Sequence, residues 1–141
     1  MVTQAATLIL VAIVTTQFSF DAAIIRVLDQ PVETVFEAGA EREMDIARWY
    51  LEKNDATAAI NRLKLVVMQH RNSIQVEEAL TLLTQAYLAV ECPREAQTAA
   101  AVLDRVYPGS RWYMRAYDLL RARGLEPREY PPSFWITHTF K

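Results

Sequence analysis

Residues 43 to 71 can be laid on residues 80 to 108 at a fixed offset of 37, and chemically similar side chains then coincide. Ile46-Ala47 falls on Leu83-Thr84, Tyr50 on Tyr87, Leu51 on Leu88, Ala59 on Ala96 and Val66 on Leu103. Self-similarity at a period of this length constrains the fold more than any single motif. Each copy is one supersecondary unit that cannot cover its own apolar face, so neighbours must stack to bury it.

Within a unit, Ile46, Ala47 and Tyr50 recur at the i, i+1, i+4 spacing of one helix face. A break follows at Asn54-Asp55 and again at Glu91-Cys92. Asp55 is able to accept a hydrogen bond from the free N–H groups of the next helix, and Pro93 has its φ already set for a first helical position. A second helix then presents Ala59, Leu63 and Val66, or Ala96, Ala100 and Leu103, small residues alternating with large ones. Tyr107-Pro108-Gly109-Ser110 stops the second copy and offers Ser110 as the next cap. A helical hairpin of about 34 residues with this pattern is of tetratricopeptide type. The predicted fold is therefore all-α, a short α-solenoid of tetratricopeptide-like hairpins.

At least about three such units are usually needed, so the flanks must contribute. Upstream, the pattern predicts a long helix from Val32 to Lys53 with Val32, Val35, Phe36, Ala40 and Ala47 inward, preceded by a shorter helix from Phe20 to Leu28. Downstream, Trp112 to Arg123 reads as a capping helix with Tyr113, Ala116, Tyr117 and Leu120 inward, and Gly124 suits its C-terminal turn. The aromatic tail after Tyr130 starts at a proline pair that keeps it extended, and it is too apolar to stand free in water. It is expected to dock on the chain's own last helix in preference to a partner or a membrane surface.

Charge and motif content exclude several functions. With a formal net charge of −2, there is no broad cationic field for nucleic-acid phosphates, and no nucleic-acid partner is expected. The single Cys92 has no Cys or His at metal-ligand spacing. His70, at a predicted helix C-terminus, and His138, in the tail, have no companion ligands in sequence. The three glycines are isolated, so no phosphate loop exists, and no nucleophile, base or metal set can be assembled. The expectation is a non-enzyme with no catalytic residues, no metal and no cofactor.

Met1 to Phe20 carries no charged side chain, and Leu8 to Val14 is continuously apolar. Three readings stay open for this apolar N-terminal helix: a signal peptide, a membrane anchor, or a helix buried against the domain. A basic n-region is missing, which counts against a signal. Four threonines and two glutamines dilute the run as an anchor.

The run Glu43-Met44-Asp45-Ile46-Ala47-Arg48-Trp49-Tyr50-Leu51-Glu52-Lys53, followed by Ala58-Ala59-Ile60-Asn61-Arg62-Leu63, resembles the BamD (ComL) family of outer-membrane assembly lipoproteins. Glu78-Ala79-Leu80, Gln85-Ala86-Tyr87-Leu88, Glu95 to Leu103 and Tyr107 to Tyr113 are similar to the C-terminal repeats of α-proteobacterial members. The resemblance covers roughly residues 40 to 120. It implies a repeat protein at the periplasmic face of the outer membrane that docks on POTRA domains of the barrel-insertion subunit BamA. The arginine of an Asn-Arg pair in the penultimate repeat is that family's ion-pairing contact to an acidic POTRA side chain, and here it is Arg62, beside Asn61. Three departures stand out. No lipobox cysteine follows the apolar start, and little chain precedes the match to supply the family's N-terminal repeats. Arg71 also replaces the proline that usually ends a repeat, which implies a different turn there.

These readings divide the chain into an apolar segment (1–20), a repeat domain (21–124) and an aromatic tail (125–141). They give a protein-binding scaffold with Arg62, Asn61, Trp112 and Trp135 as partner-binding candidates, associated with a membrane through residues 1–20. The alternative is an accessory subunit, anchored by those residues, that stabilises a large complex of an inner or organellar membrane. For Trp49, Trp112 and Tyr113, packing in the core or groove competes with a partner-facing role.

Overall fold

The computed structural model describes residues 32–130 and 134–140. The apolar segment and the helix expected over Phe20–Leu28 lie outside the described residues. Six helices are present among these: α1 (Val32–Glu52), α2 (Ala56–Gln69), α3 (Val76–Ala89), α4 (Pro93–Val106), α5 (Arg111–Arg121) and α6 (Phe134–Thr139). No described helix is long and apolar enough to cross a membrane. The chain divides into two compact units, Met1–Val35 and Phe36–Lys141, and every buried side chain among the described residues belongs to the second.

The helices form two hairpins, α1–α2 and α3–α4, followed by α5 as the first helix of a third. α3 is the central element and packs against α2, α4 and α5. Its residues from Ala79 to Leu88 are buried apart from Gln85, so it is apolar nearly all round, as a helix enclosed by neighbours must be. Met44 and Ala47 from α1, Leu63 and Val66 from α2, Leu80 and Leu83 from α3, Leu103 from α4 and Leu120 from α5 make one continuous core. Burying each of the larger aliphatic side chains contributes about 1.5–3 kcal/mol. Small residues sit where helices cross closely: Ala59, Ala96, Ala99 and Ala100 have no exposed surface. At the position equivalent to Ala47, the hydroxyl of Thr84 is buried, and it donates to the Leu80 carbonyl at 3.0 Å.

Local signals account for the boundaries. The Asp55 carboxylate accepts from the Ala58 N–H at 3.0 Å, Pro93 begins α4, and Ser110 Oγ accepts from the Trp112 N–H at 3.1 Å. All three first helices end in the same way. Residues Asn54, Glu91 and Gly124 are left-handed, at φ 60°, 56° and 69°. The next N–H in each case reaches five residues back, Asp55 to the Tyr50 carbonyl, Cys92 to Tyr87 and Leu125 to Leu120, at 2.9, 2.9 and 3.0 Å. This is the Schellman turn, repeated.

After the third such turn no second helix follows. Glu126 precedes Pro127, which disfavours helical backbone there, and residues 125–130 run extended along α4. The side chain of Gln97 donates to the Glu126 carbonyl at 2.7 Å. The Tyr130 N–H donates to Thr98 Oγ1 at 3.2 Å, and Arg105 pairs with Glu129 at 2.9 Å. Helix α6 packs on α2 and α4, with Ile136 buried. The tail therefore docks on the chain itself but not on the last helix, α5: the backbone after Gly124 turns back over the outer helices of the two earlier hairpins.

One further expectation needs correction. Val32 and Val35 are exposed rather than inward, because α2 has 14 residues against 21 in α1 and its C-cap, His70, reaches only to Phe36. The core positions of α1 are Ala40, Met44 and Ala47. The turn at Arg71 differs from its counterpart, as the missing proline implied: α3 begins only at Val76, after an added turn in which the Val76 N–H donates to the Ser73 carbonyl at 3.2 Å, and the positive φ of Gly109 has no equivalent at Asn72. Two hydrogen bonds are shared. Ser73 N–H donates to the His70 carbonyl at 2.8 Å, as Ser110 N–H does to Tyr107 at 3.1 Å, and Ser73 Oγ accepts from the Gln75 N–H at 3.1 Å, the counterpart of the Ser110 cap.

Candidate functional site

The edge of the first hairpin carries the residue singled out by sequence. Arg62 lies on α2 with its side chain 39% exposed, and its Nη1 is 3.3 Å from Oε2 of Glu43 on α1. Helix geometry explains the meeting. The hairpin turns at Lys53–Asn54, so a residue two to three turns before the turn faces one about two turns beyond it, across the antiparallel pair. Glu43 is only 21% exposed, so its carboxylate is partly desolvated and an oppositely charged partner offsets that cost.

Beside this pair is a shallow cleft of about 200 Å³ lined by Tyr50, Ala58, Asn61, Arg62 and Leu65. Tyr50, Ala58 and Leu65 supply its apolar part, and Asn61 and Arg62 supply polar donors. A cationic side chain next to an apolar notch is suited to a carboxylate that arrives with an apolar neighbour. Asn61 is exposed and shares the cleft with Arg62. A larger depression of about 400 Å³, lined by residues that include Leu51, Asn54, Asp55, Gln85 and Val90, opens at the hairpin turns, and its one carboxylate is the α2 cap.

The other two candidates are elsewhere. Trp112 is half-buried at the start of α5, with the Arg111 guanidinium 5.1 Å from its ring centroid and its carbonyl accepting from Thr81 Oγ1 at 2.9 Å. Trp135, on α6, is seated against the repeats: Lys64 Nζ is 4.8 Å from its ring centroid, and its side chain lies close enough to Tyr87 to act on the hydroxyl. Burial pushes the Tyr87 hydroxyl up to about 12, reinforced by the Glu95 carboxylate and only partly countered by Trp135. The structure thus brings Asn61 and Arg62 together and leaves Trp112 and Trp135 outside their cleft. Sequence reasoning missed Glu43, Tyr50 and Leu65 as members of the site. Simple reflection about the Lys53–Asn54 turn sets Asp45 opposite Arg62, and Asp45 pairs with Arg48 instead, so only the packed hairpin shows the Glu43 contact.

The remaining chemistry is structural. Arg48 joins the repeats by contacting Glu78 at 2.9 Å, while also meeting Asp45 at 2.9 Å. His70 packs against Phe36 with ring centroids 4.7 Å apart and the planes tilted by 58°, and its Nδ1 is buried and unpartnered. Among the described residues no group of three or more His, Cys, Asp or Glu side chains could hold a metal ion.

A short stack of helical hairpins with a charged edge defines a repeat protein of the tetratricopeptide class. The outer membrane lipoprotein family YfiO matches residues 26–103, and the chain belongs to that family, which includes BamD. It is 41% identical over 100 residues to the outer membrane protein assembly factor BamD of Caulobacter vibrioides, covering 71% of this chain and 33% of that protein. The BamD of Rickettsia prowazekii is 36% identical over 90 residues, 64% of this chain and 36% of the relative. That of Neisseria gonorrhoeae is 33% identical over 76 residues, 54% and 28%. The chain thus spans about a third of the length of the curated relatives it matches. No solved structure matches it significantly. The relatives give no support to the accessory-subunit alternative.

Proposed function

We propose that this chain is a protein-binding scaffold in outer-membrane β-barrel assembly, acting at the periplasmic face of that membrane and docking on POTRA domains of a BamA-like partner. The reading rests on one observation above all: Arg62, half-exposed beside Asn61, lines a shallow cleft on the α1–α2 edge together with Tyr50, Ala58 and Leu65. Relatives named as outer membrane protein assembly factors supply the biological context.

In this reading Arg62 meets an acidic POTRA side chain through charge-assisted hydrogen bonds, and Asn61 extends the contact. Tyr50 and Leu65 add the apolar area that lets such an ion pair matter, since an isolated surface pair contributes little. Trp112 belongs to a second, peripheral contact. Trp135 contributes indirectly, by bracing α2 from behind. Membrane attachment through residues 1–20 belongs to the same proposal, with no catalysis and no cofactor.

Titrating the whole chain against recombinant POTRA domains tests the reading. The parent is expected to bind, and Arg62→Glu, with unchanged helical content, to bind at least tenfold more weakly. Equal binding by the two would remove Arg62 from the interface.

A further inference from the structure

A guanidinium has five N–H donors, and among the described residues Arg62 uses one of them within the chain, Nη1 toward Glu43 Oε2 at 3.3 Å. Glu43 in turn is the more enclosed of the two, at 21% against 39% exposed, and it is carried by a helix whose neighbouring Met44 and Ala47 are fixed in the core. The carboxylate is therefore the rigid member of the pair and the arginine the movable one.

We infer that Glu43 is a positioning residue for docking: it holds Arg62 by one edge of the guanidinium and leaves the remaining donors for a single carboxylate of the partner. This rests on the docking reading above and adds how the site is set. An arginine free in solvent samples many rotamers, and ordering such a side chain at the moment of binding weakens affinity by roughly threefold to tenfold. A counter-ion already in place removes that loss in advance. The same carboxylate also repels an incoming acid at a distance within the Debye length of about 8 Å. Orientation and repulsion thus oppose one another at one residue, and two substitutions separate them. Glu43→Gln keeps an oxygen acceptor and removes the charge, whereas Glu43→Ala removes both.

The cleft bears on what accompanies the carboxylate. Tyr50, Ala58 and Leu65 offer a small apolar surface beside Arg62, enough to seat an apolar neighbour of the acid. The partner feature that fits is therefore one acidic residue flanked by an apolar residue on a surface, not an acidic cluster, because a second carboxylate would meet Glu43 unpaired.

The test combines two readouts on the full chain. In the free protein, NMR of the Arg62 Nε–Hε group reports how far the side chain is held. In titrations against recombinant POTRA domains, the parent and both Glu43 variants are compared with Arg62→Glu. The inference expects an ordered Arg62 signal in the parent and Glu43→Gln and a mobile one in Glu43→Ala. Binding should be equal to or a few-fold tighter than the parent for Glu43→Gln, and threefold to tenfold weaker for Glu43→Ala. Should the parent bind and Arg62→Glu fail while Glu43→Ala matches the parent in both readouts, the role of Glu43 is overturned and the docking reading stands. A parent that does not bind overturns the docking reading itself, and this inference with it.

Discussion

Asn54 and Glu91 occupy equivalent positions 37 residues apart and share one left-handed backbone conformation, φ 60° and 56°. Asparagine tolerates it, but glutamate strains it by roughly 1–2 kcal/mol relative to glycine. Glu91→Gly should therefore raise stability by about 1 kcal/mol. Little is lost with the side chain, since its contact with Arg123 is 3.8 Å long between two exposed groups. Urea denaturation checks this: a lower midpoint for Glu91→Gly would mean that the Glu91 side chain contributes more than its backbone costs.

Gly39 and His70 are a second matched pair. A Cβ placed on Gly39 would lie 2.8 Å from His70 Cε1, and Phe36, one turn earlier on the same helix, already packs on that imidazole. Gly39→Ala gains helix propensity of about 1 kcal/mol but overpacks the contact by about 1–3 kcal/mol, so net destabilisation of about 1 kcal/mol is expected. In a His70→Ala background the same change should stabilise. A double-mutant cycle by thermal melting reads the sign reversal directly.

Tyr87 makes stability depend on alkaline pH. Its folded-state value of about 12 lies above the ordinary 10, so the folded state holds the proton more tightly than the unfolded chain. The associated stability is complete below pH 10 and is lost as pH rises from 10 to 12, by about 2–3 kcal/mol. Tyr87→Phe should flatten that decline, and denaturation series at pH 8 to 11.5 will show whether it does.

The tail is part of the fold. Ile136 is buried against α2 and α4, so Ile136→Ala should cost about 2–4 kcal/mol, in the range of buried aliphatic truncations. Unfolding should remain a single transition, because the residues it touches belong to the continuous core. A stability loss below about 0.5 kcal/mol would show that α6 sits on the repeats without contributing to them.

Much of this architecture was readable from residue spacing. Hairpin repeats, the caps at Asp55 and Ser110, Pro93 at its helix start and Gly124 in its turn all follow from local chemistry, and local chemistry is what a sequence displays. Long-range pairings were less accessible. Nothing near Val32 and Val35 says that α2 is too short to cover them, and nothing in the tail says that it turns back over α4 instead of lying on α5. Ser73 illustrates the middle ground. Its alignment with Ser110 predicts the shared cap, but its hydroxyl also donates to Glu37 at 2.6 Å, as Ser110 does to Glu77. Only the stacking of successive repeats brings those carboxylates within reach. Arg62 was legible by resemblance, whereas Glu43 became visible once the two helices of its hairpin were paired.

The most direct measurement is contact in the cell. A photo-crosslinking amino acid at the exposed position of Asn61, beside Arg62, with a control at exposed Met114 on α5, would be expressed in the whole chain in a bacterium with an outer membrane. The account predicts a crosslink from position 61 to a POTRA domain of the barrel-insertion subunit that disappears with Arg62→Glu. A crosslink to that subunit from position 114 alone, or from neither site, would contradict docking through the Arg62 edge.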